Sequence, residues 1–287
     1  METSQAMNQA LMKRKRNGQI NIKSGNKIDS AVKWTIWVLT VLTVISFFFF
    51  DYTGLQLERA ITETAHNLRV MFLEPGLSHF GWGEAFYQVG ITLGLGVLAT
   101  VFGAIIALFL SLMAAENLSK PWLSKTIRII VAFIRAVPTV LWVLIFAIAA
   151  GLGSEAAVLG MLFHSVAYLV KAFSEAIEEV NPGIIEALRA TGSSWWHIVV
   201  HGVLPSTFTY LLSWTFLRFE INFSVAVAMG AAAGAGGIGF ELFMASGFYF
   251  DLREVGFITY AILIIAIVLE VISTRLKNRY FPSSVKA

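Results

Sequence analysis

Long uninterrupted runs of apolar side chains decide what this chain can fold into. They run from Trp34 to Phe50, Gln88 to Met113, Ile127 to Ala150, Ala156 to Val170, Tyr210 to Met229 and Val255 to Ile272. Each is apolar on every face, unlike the alternating strands of a membrane barrel or the one-sided stripe of a surface helix. Of the 287 residues, 57% are hydrophobic and only 14% charged, whereas about a quarter of a soluble domain is charged. A soluble globular enzyme is therefore excluded. The expected fold class is all-α, a polytopic membrane protein of about six transmembrane helices. With no cysteine, the chain has no disulfide, thiolate metal site or cysteine nucleophile.

Positive charge orients the bundle. Lys and Arg gather before Trp34, at Lys120, Lys125 and Arg128, at Lys171 and Arg189, and after Thr274, while only Arg59, Arg69 and Arg253 fall in the opposite set. Both termini are thus expected in the cytoplasm. The opposite face is acidic, with Asp51, Glu58, Glu63, Glu74, Glu84, Glu155, Glu241, Asp251 and Glu254. Net charge is +3, yet the basic residues sit where the membrane rule puts them, so no nucleic-acid partner is expected. Segment 1–33 reads as a basic, disordered cytoplasmic stretch, and 34–50 as a first transmembrane helix with no cleavage site after Phe47 to Phe50, hence an uncleaved anchor. Segment 51–85 is external and amphipathic, with Leu57, Ile61, Leu68 and Phe72 opposite Glu58, Arg59, Glu63 and Arg69; it lies along the outer surface or packs on the bundle. A transmembrane core over 86–275, carrying a loop at 171–205, and a cytoplasmic tail over 276–287 complete the chain.

The loop carries the functional argument. Asn181-Pro182 suits a helix start, Gly192 a left-handed cap, and Ser193 or Ser194 the cap of a second short helix that Pro205 brings to a turn. Such a unit is expected to expose Ile184, Ile185, Leu188, Trp195 and Trp196, an apolar knob suited to a protein partner. Glu186-Ala187-Leu188, Gly192 six residues after the Glu, and Leu204-Pro205 resemble the EAA loop of ABC-importer permeases, with Leu188 for the third motif residue and Gly202 at the usual Ile. Arg135-Ala136-Val137-Pro138, Glu220-Ile221-Asn222, Gly230 and the glycines of 234–239 are similar to phosphonate-type permeases, though Ser224 stands where an Arg is expected.

The resemblance implies a type I ABC-importer permease in a prokaryotic cell membrane, with Glu186, Ala187, Leu188, Gly192, Leu204 and Pro205 coupling to a separate ATPase dimer. It implies a homodimer, an extracytoplasmic solute-binding protein, and a small anion (phosphonate, phosphite or phosphate ester) as substrate. Another small solute is the alternative. ATP and Mg would sit on the ATPase, and no cofactor on this chain, which has no G-x-x-x-x-G-K-[ST].

Charges inside spans cost at least ~2.5–3.5 kcal/mol each at a helix centre, so Arg135, Arg218 and Glu220, with Asn222, are the substrate-pathway candidates. Arg218 and Glu220, two apart on a helix, cannot share a face. Arg135 could instead satisfy carbonyls freed by Pro138. Gly234, Gly236, Gly237 and Gly239 match G-x-G-x-x-G but follow an apolar span rather than a strand, which points to a gate or close helix packing; Gly90-x-x-x-Gly94 reads as a packing notch. His197 and His201 lack a third ligand, so no metal is assigned. An ion-coupled secondary transporter would want inverted repeats, and a membrane-embedded enzyme a converging constellation, for which only Arg135, His164, Arg218 and Glu220 are available.

Overall fold

The computed structural model describes residues 12–14, 20–22, 27–50, 54 and 56–280. Most of the basic segment before Lys27, expected to be disordered, and the last seven tail positions, 281–287, lie outside the described residues. Strands β1 (Met12–Arg14) and β2 (Ile20–Ile22) pair antiparallel; the rest of the regular structure among the described residues is helical. The chain divides into two compact units, Met1–Ile61 and Thr62–Ala287.

The first unit holds α1 (Lys27–Phe48). Its described side chains are exposed on nearly every face, as expected of a helix solvated by lipid. The hydroxyls of Thr35, Thr40, Thr43 and Ser46 return to the carbonyls one turn back, which makes these polar residues tolerable in an apolar helix.

Helix α2 (Leu57–Leu73) has no buried residue, and its apolar stripe stays exposed at Leu57, Ile61, Leu68 and Phe72. The second unit continues with α3 (Trp82–Ala114), α4 (Pro121–Ala136), α5 (Thr139–Ala150), α6 (Ser154–Glu178), α7 (Pro182–Ala190), α8 (Trp195–Ile198), a π turn (Val199–Val203), α9 (Leu204–Ala233), α10 (Ile238–Gly247) and α11 (Leu252–Tyr280). At its centre α3 turns small buried residues, Gly96, Ala99, Thr100, Gly103 and Ala107, toward α6 and α9. A Cβ on Gly103 would sit 3.0 Å from Ser165 Cβ, and one on Gly96 3.4 Å from the Phe223 backbone. These glycines set the separation between helices. Gly90 and Gly94, expected as the packing notch, meet nothing within 4 Å in this chain.

Among the described residues, five helical stretches are long and apolar enough to cross a membrane: α1, α3, α6, the run from α8 through α9, and α11. The expected span Ile127 to Ala150 is not one helix. It is α4 and α5, bent by 90° at Val137-Pro138, and together they make the sixth candidate. Proline has no N–H for the Ile134 carbonyl, and Trp142 Nε1 donates to that oxygen instead at 3.0 Å. Arg135 therefore does not fill the gap left by Pro138, contrary to one of the two sequence expectations.

Pro205 also behaves differently from expectation: it ends nothing. The short helix α8 runs through the π turn directly into α9, with Pro205 in the first turn of α9. The ladder shifts there to an i→i−5 bond, Leu204 N–H to Val199 O. A widened turn relieves the clash between a proline ring and the carbonyl four residues back.

Candidate functional site

Two constellations stand out, one between the helices and one at an end of the bundle. The first is built by α3, α6 and α9. Arg218 and Asn222, four residues apart, share a face of α9 and are 2% and 0% exposed. Arg218 Nε donates to Ser165 Oγ at 2.9 Å, an Nη lies 3.2 Å from His164 Nδ1, and the guanidinium sits 5.2 Å from the centre of the Tyr168 ring. Asn222 Nδ2 donates to Thr100 Oγ1 at 2.8 Å and to Ser165 Oγ at 2.9 Å. Ser165 Oγ in turn donates to Met161 O at 2.6 Å. Among the described residues no carboxylate pairs with Arg218. Its partners are two neutral side chains and an aromatic face, so its positive charge is held by the fold and not cancelled.

Of the four predicted pathway residues, the structure brings together Arg218 and Asn222. Glu220 is half-buried on another face of α9, without a hydrogen bond or ion pair among the described residues. Arg135 is exposed, in a cleft of about 200 Å³ between α4 and α6 that is also lined by Arg128, Lys171, Ser174 and Glu175. Sequence reasoning missed Thr100, Ser165 and Tyr168. The available signal was a hydroxyl inside an apolar run, which is weak because such groups usually bond their own helix.

The second constellation is the helix-turn-helix of α7 and α8. Asn181 Oδ1 accepts from Gly183 N–H at 2.9 Å, Pro182 opens the helix, and Gly192 turns the chain at φ +76°. Ser194, not Ser193, caps α8 by accepting from His197 N–H. The unit is tied down by Trp195 Nε1 to Leu118 O (3.0 Å) and Arg189 Nη to Asn117 O (3.0 Å), and nearby Arg128 pairs with Glu178. Residues 171–178 of the expected loop are the last turns of α6.

The expected apolar knob is smaller than the sequence implied. Ile185 is buried with Ile198, Val199 and Val203 against Leu112, Leu118 and Ile177, and Leu188 and Trp195 pack against them. Packing onto the ends of α3 and α6 removes those side chains from the surface. Exposed are Ile184, Trp196 and Val200, together with Glu186, Ala187 and Gly192.

The two departures from the EAA pattern, Leu188 and Gly202, touch. A Cβ on Gly202 would lie 2.9 Å from Leu188 Cδ1 and 3.4 Å from Ile184 Cγ2. The Leu188 side chain thus occupies space that a side chain at 202 would need. Gly202→Ile alone is expected to destabilise the chain by about 1–3 kcal/mol through overpacking. Adding Leu188→Ala should restore most of the loss, read as unfolding temperature of the single and double variants.

The glycine run serves packing. Gly234, Gly236 and Gly237 have φ of +61°, +74° and +78°. The Gly237 and Ile238 N–H groups donate to Gln88 Oε1 (3.0 Å) and Thr92 Oγ1 (2.9 Å), so they are engaged by α3. Gly239 lies directly on the Val227 carbonyl and Gly230 on the start of α10, joining α9 and α10 backbone to backbone.

The architecture is a multi-helix membrane bundle with an anchored, partly apolar helix-turn-helix between two of its spans. Residues 107–284 match the model of the binding-protein-dependent transport system inner membrane component, and the chain belongs to that family. It is 31% identical over 198 residues to the phosphate-import permease protein PhnE of Mycolicibacterium smegmatis, covering 68% of this chain and 37% of that one. It is 33% identical over 190 residues to the phosphite transport system permease protein PtxC of Stutzerimonas stutzeri, covering 66% and 68%. The fold matches an inward-facing MetNI methionine ABC transporter with TM-score 0.65 at 19% identity, over 72% of this chain and all of that one. The protein is accordingly a multi-pass inner-membrane component of a binding-protein-dependent transport system, in the prokaryotic cell membrane.

Proposed function

We propose that this permease carries a small phosphorus oxyanion, with phosphonate, phosphite and phosphate ester as the candidate class. The observation that carries this reading is Arg218, a buried guanidinium with only uncharged partners and no counter-ion among the described residues. A planar fork of N–H donors suits a tetrahedral oxyanion, and burial without a carboxylate leaves its field to an anionic solute. The names of the relatives, one for phosphate import and one for phosphite, point the same way. Arg218 and Asn222 line or flank the pathway in this reading, and Glu220 and Arg135 act elsewhere along it.

The helix-turn-helix of α7 and α8 is the coupling element in this proposal. Trp196, Ile184 and Val200 seat in a groove of a separate ATPase, with Glu186, Ala187 and Gly192 shaping the contact and Leu204 and Pro205 leading the stroke into α9. Both termini face the cytoplasm on the same side. Two copies pair about a twofold axis, since an ATPase dimer offers two equivalent grooves. Closure of that dimer on ATP rocks the spans, and an external binding protein supplies the solute.

The test is reconstitution of this chain with its ATPase and binding protein in proteoliposomes. ATP hydrolysis should rise with phosphite or a phosphonate and stay at its basal rate with methionine; the reverse pattern sinks the oxyanion reading. Trp196→Ala, which truncates an exposed side chain, should leave the chain stable while weakening ATPase association about tenfold or more. Unchanged association would remove the coupling assignment.

A further inference from the structure

Outside both constellations, the segment that leads into α3 is fastened to the start of α11. Gly76 N–H donates to Arg253 O (3.1 Å), Tyr260 Oη to Phe72 O (2.7 Å), and Arg253 pairs with Glu74 at 2.9 Å. In the middle of this contact lie His79, Asp251 and Glu254, each offering a ligand atom within 4.8 Å of the others. Glu254 is fully buried, Asp251 is one-fifth exposed and His79 38% exposed. His79 and Asp251 open onto a cavity of about 360 Å³ whose wall also includes His66, Val70 and Tyr249, with Glu254 buried behind them.

The charge there is unbalanced. Glu254 is a buried carboxylate, yet the neighbouring guanidinium of Arg253 turns to Glu74, and among the described residues no lysine or arginine pairs with Asp251 or Glu254. Two carboxylates therefore share one imidazole. Their orientation is fixed from behind: Glu254 Oε1 accepts from the Ser78 and His79 N–H groups (3.1 and 2.9 Å), and Asp251 Oδ1 from the Arg253 and Glu254 N–H groups (3.0 and 3.2 Å). Each acid thus directs its other oxygen, Oε2 or Oδ2, toward His79 Nδ1, at 2.7 and 4.0 Å. The Tyr249 ring stacks on the imidazole with centroids 3.9 Å apart and planes at 7°.

We propose that His79 Nδ1, Asp251 Oδ2 and Glu254 Oε2 form a site for a divalent transition-metal ion of the Zn²⁺ type, with the fourth position open to water or to His66. Ligands about 2.0–2.1 Å from a tetrahedral metal stand roughly 3.3 Å from one another, and the separations of 2.7 and 4.0 Å bracket that value. Small side-chain adjustments suffice. One nitrogen and two oxygens favour zinc, cobalt or nickel over calcium, which takes oxygen ligands alone. Backbone N–H groups hold both carboxylates in the way that outer ligands orient a metal site. On binding, Nδ1 of His79 would face the metal without a proton, and the metal would replace the Nδ1 to Glu254 contact. The ion staples the segment before α3 to the start of α11.

The experiment uses the full chain, purified without a polyhistidine tag, titrated with Co²⁺ and then Zn²⁺. One Co²⁺ per chain should bind, with visible absorption of tetrahedral type, and Zn²⁺ should displace it and raise the unfolding temperature. His79→Gln and Asp251→Asn should each weaken binding at least tenfold, whereas His197→Gln, in the other histidine pair, should leave it unchanged. The glutamine amide introduced by His79→Gln can still donate to Glu254, so the metal-free unfolding temperature of that variant should match the parent, and Asp251→Asn gives an independent reading. Absence of saturable binding at one equivalent, or binding indifferent to both substitutions, overturns the proposal. It stands independently of the transported solute.

Discussion

Gly239→Ala is expected to abolish the folded permease, with no chain recovered at its normal unfolding temperature. The added methyl would lie inside the Val227 carbonyl oxygen, and neither side of that contact can yield, because both are helix backbone. The choices are to push α10 off α9 or to bend α9 where Met229 and Ala233 are buried in the core. Overpacking usually costs about 1–3 kcal/mol, and a backbone-to-backbone clash belongs at or beyond the top of that range. Gly90→Ala, where nothing lies within 4 Å, is the matched control and should unfold like the parent. Equal unfolding temperatures for the two variants would show that α10 does not seat on α9 as described.

Arg218→Gln is expected to do the opposite: it should spare the fold and stop transport. Removing a buried charge that has no counter-ion relieves its desolvation, so unfolding temperature should hold or rise. Solute uptake should fall by roughly 30–150-fold, the equivalent of about 2–3 kcal/mol for charge-assisted hydrogen bonds to an anion. Arg218→Lys keeps the charge without the fork and should fall between the two. A large loss of stability with uptake per folded molecule unchanged would instead make Arg218 a strut between α6 and α9.

Much of the architecture was legible because it depends on local chemistry. The apolar runs mark the spans, since every backbone polar group in lipid must be satisfied within its own helix. The caps of the helix-turn-helix were visible too, because Asn181, Pro182 and Gly192 act on their immediate neighbours. The two prolines were harder. Pro138 breaks its span and Pro205 does not, and the outcome turns on partners outside the local sequence: Trp142 reaching Ile134 O, and a π turn opening before Leu204. Arg218, Glu220 and Asn222 could be named from the cost of polarity in a span, yet which of them meet depended on helix rotation.

From the sequence alone came a membrane bundle, its approximate spans and a helix-turn-helix between two of them, all of which follow from hydropathy and short-range backbone rules. Tertiary structure alone decided that Leu188 packs on Gly202, that Ser165 joins Arg218 to Asn222, and that His79 meets Asp251 and Glu254. Those contacts join residues that are close in space and distant along the chain, and their geometry is set by how closely neighbouring helices can approach, which no single segment encodes.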